Sequence, residues 1–128
     1  MDNDIKKRGE ALIEKMKKDR GYIYPEWEFA ARRDPDFMEA YNNIYRVALG
    51  DGQALPAKVR EFIAIGLLSF RRDVGGVKSH IKRAMRLGAT KQEILEAIET
   101  AIIPGGAPTL FVGLNAMISV LEEEEDKK

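Results

Sequence analysis

Apolar residues recur at intervals of three and four along most of the chain, the spacing that places side chains on one face of an α-helix. The longest such run begins at Leu55-Pro56 and continues to Phe70. No segment shows the alternation of apolar and polar residues that predicts a β-strand. We therefore expect an all-α protein of about six or seven helices.

Capping residues, glycines and prolines mark the expected helix boundaries. Thr90 and Glu93 have the spacing of a capping box, and Asp34 before Pro35 predicts an N-cap followed by proline at the first helical position. Pro56 is expected to open the helix that follows. Helix ends are expected at Gly21, at Gly50, near Arg71, at Leu87-Gly88 and at Pro104-Gly105-Gly106.

The last expected helix, from about Pro108 to Leu121, is apolar on nearly all sides. A helix without a polar face must be covered all round, so we expect a second subunit to supply part of the cover. At 128 residues the chain is expected to form one domain, 1–128, with an N-terminal helical extension over 1–35. The acidic run at 122–128 is expected to be a frayed tail.

Composition excludes several classes of function. Lys and Arg together number 21, as do Asp and Glu, so no net charge favours nucleic acid or an anionic membrane. Absence of cysteine excludes disulfides, thiol redox chemistry and thiolate metal sites. A metal site is not expected from one histidine and scattered acids. Since no apolar segment is long enough for a membrane span or a signal peptide, we expect a cytoplasmic protein.

Glu61 and His80 are the candidate functional residues. Glu61 has only apolar residues one helical turn beyond it, so its own helix offers the carboxylate few polar side chains as partners. His80, the only histidine, follows on the next expected helix. A carboxylate and an imidazole in apolar surroundings are suited to proton transfer. Each also has a structural alternative: a hydrogen-bonded core histidine, and a glutamate paired with an arginine of a neighbouring helix.

The segment from Leu55 to Met117 resembles the carboxymuconolactone decarboxylase family, which also contains the alkylhydroperoxidase D-like proteins. The resemblance rests on these residues: Leu55-Pro56, Arg60-Glu61, Ser79-His80, Leu87-Gly88-Ala89-Thr90, Glu93-Ile94, Glu96-Ala97, Gly105-Gly106 and Pro108. It implies an alkylhydroperoxidase D-like fold with a family core at about 36–121. It also implies a homotrimer or a homohexamer.

The peroxidase-like branch of this family carries a Cys-x-x-Cys pair between its glutamate and its histidine. Glu61 and His80 match the spacing of nineteen positions in that branch (80 − 61), but Asp73 and Gly76 stand where the cysteines would be. Without a thiolate, neither disulfide exchange nor thiol peroxidase activity is possible. The chain therefore resembles the cysteine-free decarboxylase branch more closely.

The resemblance implies decarboxylation of a small carboxylated lactone, a step of aromatic compound catabolism that requires no cofactor and no metal. Loss of carbon dioxide leaves a dienolate, with the lactone carbonyl as electron sink. The site must therefore stabilise an enolate oxygen and deliver a proton to carbon. His80 is expected to be that acid or an enolate hydrogen-bond donor, and Glu61 to orient it or relay the proton.

Substrate carboxylates need a cationic partner, for which arginine is well suited. Arg60, Arg71 and Arg72 are the nearest candidates in sequence. Asp73 is either a further carboxylate of the site or the N-cap of the helix that carries His80. Two alternatives to a lyase are a non-catalytic oligomer that binds a small molecule and a peroxidase-like family member without redox activity.

Overall fold

The computed structural model of the protein describes residues 2–128, and Met1, the first residue of the expected N-terminal extension, lies outside them. Seven α-helices and no strands are present in this part of the chain, in agreement with the all-α prediction. The helices form two compact units, an N-terminal one that ends at Gly52 and a C-terminal one that begins at Gln53. None of these helices is long and apolar enough to cross a membrane.

The N-terminal unit contains α1 (Asn3–Arg20), α2 (Pro25–Arg33) and α3 (Pro35–Leu49). Helix α1 ends at Gly21, whose φ of 78° favours glycine. Asp34 caps α3 through a hydrogen bond that it accepts from Phe37 N–H, and Pro35 follows at the first helical position. The apolar core of the unit consists of Leu12, Ile13, Met16, Ala31 and Met38.

A buried arginine lies among the aromatic rings of this unit. Arg20 is fully buried, and its guanidinium carbon lies 4.1 Å from the ring centroid of Trp27 and 3.8 Å from that of Tyr45. Burial lowers the pKa of Arg20. The rings face the cation as cation–π partners, so these aromatic residues stabilise a charge as well as an apolar core.

The C-terminal unit contains α4 (Ala57–Phe70), α5 (Val74–Arg86), α6 (Lys91–Gly105) and α7 (Ala107–Asp126). Thr90 and Glu93 form both hydrogen bonds of the predicted capping box at the start of α6. The core of the unit brings together one face of each helix: Ile65, Val77, Ile81, Ala84, Ile94, Ile98, Ala116, Met117 and Val120.

Helix α6 ends within the predicted Pro104-Gly105-Gly106 break: Pro104 stands in its last turn, and its C-cap, Gly106, has a φ of 83°. The prediction for the acidic run at the end of the chain was wrong. The acidic run is not a frayed tail, since α7 continues through it to Asp126. Glu123 accepts hydrogen bonds from Lys78 Nζ at 2.6 Å and forms an ion pair with Lys82 Nζ at 2.7 Å, which attaches this part of α7 to α5.

Candidate functional site

Glu61 is a fully buried carboxylate on α4. It shares the buried face of the helix with Ile65 and Ser69, four and eight positions further on, which is the spacing of one helical face. The hydroxyl of Ser69 donates a 2.7 Å hydrogen bond to the carbonyl of Ile65, so it does not serve Glu61. Since a buried carboxylate is costly unless it has partners, the partners of Glu61 must come from another helix.

Helix α5 supplies the first of these partners. Asp73 starts the helix by accepting a hydrogen bond from Gly76 N–H at 2.9 Å, and His80 follows in its second turn. The Nδ1 atom of His80 lies 2.6 Å from Glu61 Oε2. The side chain of His80 is 12% exposed, whereas that of Glu61 is not exposed at all. The imidazole therefore lies between the buried carboxylate and the protein surface.

Arg83 is the second partner, and the sequence analysis missed it. Its Nη1 atom lies 2.5 Å from Glu61 Oε1, and the side chain is 15% exposed. Arg83 follows His80 by three positions, so the two side chains lie on one face of α5. That spacing was the signal in the sequence from which the pair could have been found.

Each carboxylate oxygen of Glu61 thus has a hydrogen-bonding partner on α5. A carboxylate accepts and does not donate, so Nδ1 of His80 carries the hydrogen in this pair. The other ring nitrogen, Nε2, is then the one that can take up or release a proton. Arg83 supplies a positive charge beside the carboxylate of Glu61. The arrangement can hold one tautomer of His80 in a fixed orientation.

The other predicted site residues occupy different positions. Arg60 is partly buried on α4, whereas Arg71 and Arg72 are exposed where α4 ends. Arg72 has a φ of 62°, the only positive φ at a non-glycine residue in the described part of the chain. Asp73 acts as the N-cap of α5, one of the two roles considered for it. Substrate binding by these four residues therefore stays a prediction.

A cavity of about 780 Å³ in the C-terminal unit lies between α4 and α6 and is lined by neither Glu61 nor His80. No group of three or more histidine, cysteine or acidic residues is arranged to hold a metal ion in residues 2–128. Of the two residues, only His80 reaches the protein surface, since its side chain is 12% exposed and that of Glu61 is fully buried.

Comparison with known proteins gives several uncharacterised relatives. The chain is 25% identical over 97 residues to a protein of Methanocaldococcus jannaschii, a match that covers 76% of this chain and 90% of the relative. It is 34% identical over 83 residues to a protein of Cupriavidus necator, which covers 65% of this chain and 73% of the relative. Neither relative has an assigned function.

Two solved structures resemble the fold. A candidate carboxymuconolactone decarboxylase from Burkholderia xenovorans LB400 has a TM-score of 0.78 at 25% identity, with 92% of this chain and 95% of that chain covered. A carboxymuconolactone decarboxylase family protein from Legionella pneumophila, solved without ligand, has a TM-score of 0.66 at 24% identity, with 94% and 97% covered. The second similarity shows a common fold alone.

The sequence model of the carboxymuconolactone decarboxylase family matches residues 35–118. This range contains Glu61, His80 and Arg83, and it extends from the start of α3 into α7. The match spans more than half of the chain and agrees with the resemblance deduced from the sequence. The chain belongs to the carboxymuconolactone decarboxylase family.

Proposed function

We propose that the protein is a cofactor-free lyase that decarboxylates a small carboxylated lactone or a related acid in the cytoplasm. The observation that carries the proposal is the 2.6 Å contact between Nδ1 of His80 and the fully buried carboxylate of Glu61. Decarboxylation of the lactone leaves a carbanionic centre that must be protonated, and a histidine paired with a carboxylate is suited to deliver that proton.

The reaction proceeds through a dienolate. The electron pair of the breaking carbon–carbon bond passes into the conjugated lactone as carbon dioxide leaves, and the lactone carbonyl carries the charge. Nε2 of protonated His80 then delivers a proton to carbon, after which the imidazole takes up a proton from water. Glu61 holds Nδ1 and stabilises the imidazolium form, as a carboxylate behind a histidine does in other acid–base sites.

Arg83 orients Glu61 in this proposal and does not touch the substrate. Its Nη1 contact fixes one carboxylate oxygen, so the other oxygen is directed at His80. Arg60, Arg71 and Arg72 remain the proposed partners of the substrate carboxylates. Thiol redox chemistry has no place in the mechanism, because the chain contains no cysteine.

The protein is further proposed to work as a homotrimer or a homohexamer. Part of α7 packs inside the C-terminal unit, but Phe111 and Ile118 are 69% and 56% exposed. Exposed large apolar side chains on one helix are typical of subunit interfaces. This supports the expectation that a second subunit covers part of α7.

An absorbance assay with 4-carboxymuconolactone tests the reaction on the wild type, Glu61→Gln and His80→Ala. We expect turnover by the wild type, and its loss in both variants with helicity by circular dichroism retained. Glu99→Gln, an exposed position on α6, is the matched control and should keep full turnover. Absence of turnover in the wild type would refute this substrate.

A non-catalytic small-molecule-binding oligomer is the second candidate function. The ion pair between Arg83 and Glu61 favours it, because an arginine of a neighbouring helix is the structural role foreseen for Glu61. Calorimetry with the same lactone separates the two candidates. Binding by a wild type that shows no turnover would establish the second candidate.

A further inference from the structure

A polar pocket of about 310 Å³ lies in the N-terminal unit between α1 and α3. This volume is suited to a small ligand. The charged and amide side chains that line the pocket come from both helices: Lys15 on α1, and Asp36, Glu39, Asn42, Asn43 and Arg46 on α3.

Asn42 supplies a buried acceptor to this pocket. The residue is 3% exposed, and its Oδ1 atom is buried without a hydrogen-bond partner within the described residues. Asn42 shares the buried face of α3 with Met38, where an apolar side chain would pack without leaving an oxygen unpaired. Because Asn42 lines the pocket, a small rotation of its amide presents the oxygen there. The unmet acceptor therefore indicates a ligand that donates a hydrogen bond.

Helices α1 and α3 run parallel along the pocket. Arg8 Nη2 lies 2.5 Å from Asp36 Oδ1 in the first turn of α3. The guanidinium carbon of Arg20 lies 3.8 Å from the ring centroid of Tyr45, near the end of the same helix. Lys15 stands between Arg8 and Arg20 on α1, so it lies beside the middle part of α3.

The end of the pocket nearest the start of α3 is anionic. Asp36 and Glu39 share a single cation, Arg8. Its Nη2 atom bonds Asp36 but lies 3.9 Å from Glu39 Oε2, which is too far for a hydrogen bond. One negative charge therefore remains at this end, and the carboxylate of Glu39 is able to accept hydrogen bonds from a ligand.

The rest of the pocket is cationic. Arg46 lies seven positions after Glu39, about 10 Å further along α3. Its Nη2 atom donates a 2.9 Å hydrogen bond to Oδ1 of Asn43, a neutral partner. Neither Arg46 nor Lys15 forms an ion pair within residues 2–128. The pocket thus presents a carboxylate, a buried amide oxygen and two cations, in that order along α3.

We propose that this pocket binds a dipeptide through its backbone groups. The N-terminal ammonium faces Glu39, and the peptide N–H donates to Oδ1 of Asn42. The C-terminal carboxylate binds Arg46 and Lys15. Asn42 lies three positions after Glu39 and four before Arg46, so the residues follow the order of the ligand groups. An extended dipeptide is about 7 Å long, which leaves room for hydrogen bonds within the 10 Å or so between Glu39 and Arg46.

Simpler ligands fit the pocket less well. A metal cation or a simple anion supplies no N–H donor for Asn42. A free α-amino acid carries its ammonium and its carboxylate on one carbon atom, so it is too short to contact Glu39 and Arg46 at once. The inference does not depend on the lactone chemistry, because the pocket contains neither Glu61 nor His80.

Calorimetry with glycylglycine tests the proposal, since this dipeptide carries the backbone groups and no side chain. We expect the wild type to bind it. N-acetylglycylglycine lacks the ammonium, glycylglycinamide lacks the carboxylate and glycine is too short, so each should bind about tenfold more weakly or worse. A wild type that does not bind glycylglycine, or that binds the other three compounds equally well, would overturn the proposal.

Substitutions test the contacts one by one. Glu39→Gln and Arg46→Gln should each weaken glycylglycine binding about tenfold. Glu14→Gln, exposed on α1 outside the pocket, is the matched control and should bind as the wild type does. Asn42→Leu should weaken binding to a similar extent without lowering the melting temperature, because the oxygen that it removes has no donor in the free protein.

Two results would refute the site: unchanged binding in Glu39→Gln and Arg46→Gln, or an Asn42→Leu variant that is less stable but binds normally. The two charge variants alone decide the matter if Asn42→Leu does not fold, which circular dichroism reports. Lactone turnover is measured on the same variants and should equal that of the wild type, so failure of the dipeptide site and failure of the reaction are distinguished.

Discussion

Arg83 and Glu61 meet at 2.5 Å between Nη1 and Oε1, with the carboxylate fully buried and the guanidinium only partly so. The contact gives the carboxylate a permanent counter-charge in an apolar interior. The second carboxylate oxygen, Oε2, lies 2.6 Å from Nδ1 of His80. Arg83 thus explains both why α4 can carry a buried charge and how the carboxylate of Glu61 is oriented.

Removal of Arg83 should therefore destabilise the fold. Arg83→Ala leaves Glu61 as a buried carboxylate without its cation, and we expect a loss of about 3 kcal/mol in the free energy of unfolding, as for other broken buried pairs. Urea unfolding measures the loss. The double variant Arg83→Ala with Glu61→Gln carries no buried charge and should be more stable than Arg83→Ala alone. Lys91→Ala, exposed at the start of α6, is the control. A double variant less stable than Arg83→Ala would contradict the explanation.

Glu123 should make stability depend on pH in the acid range. Hydrogen bonds from the ammonium groups of Lys78 and then Lys82 lower the pKa of Glu123 from 4.5 to about 2. Because the folded-state pKa is depressed, the contribution of this carboxylate is present above pH 4.5 and is lost as pH falls towards 2. Between pH 5 and pH 2.5, the free energy of unfolding in urea should fall less for Glu123→Gln than for the wild type. Parallel curves for the two proteins would show that the ion pairs do not stabilise the fold.

Asp73 should behave as a helix cap whatever its role towards substrate. Its carboxylate accepts a hydrogen bond from Gly76 N–H, and a Cβ on Gly76 would come within 2.6 Å of Asp73 Oδ2. Asp73→Ala should lower the free energy of unfolding by about 1 kcal/mol. Asp73→Asn should keep most of that stability, because asparagine also caps helices. Thermal unfolding gives the comparison. If Asp73→Asn keeps stability but loses lactone turnover, the carboxylate also belongs to the substrate site.

At Gly113, helix α7 lies against Ile98 of the core of the C-terminal unit. A Cβ at this position would lie 2.5 Å from Cγ2 of Ile98, so Gly113→Ala should cost about 2 kcal/mol through overpacking. Ile98→Ala removes the obstructing methyl group. The combination of the two substitutions should therefore destabilise less than the sum of the single changes, as measured by urea unfolding. Strict additivity would mean that the two positions do not meet.

Much of the fold could be predicted because its signals are local. Periodicity and caps indicated the helices, and Thr90 with Glu93 fixed the start of α6. The errors concern contacts between distant residues. The charges of the acidic run argued locally for fraying, whereas the ion pairs of Glu123 with α5 keep α7 helical. Arg83 was overlooked for a related reason: hydrophobic periodicity identifies the buried face of a helix, but it does not show which charged residue at its margin turns inward.

Carboxylates from two neighbouring helices bind α5. Glu61 on α4 binds residues three positions apart on α5, His80 and Arg83, while Glu123 on α7 binds Lys78 and Lys82, four positions apart. Because each carboxylate contacts two side chains about one turn apart, it opposes both rotation of α5 about its axis and sliding along that axis. The two carboxylates bind different faces of α5, so together they oppose a shift of this helix relative to both α4 and α7 and help to hold the backbone that carries His80 in place.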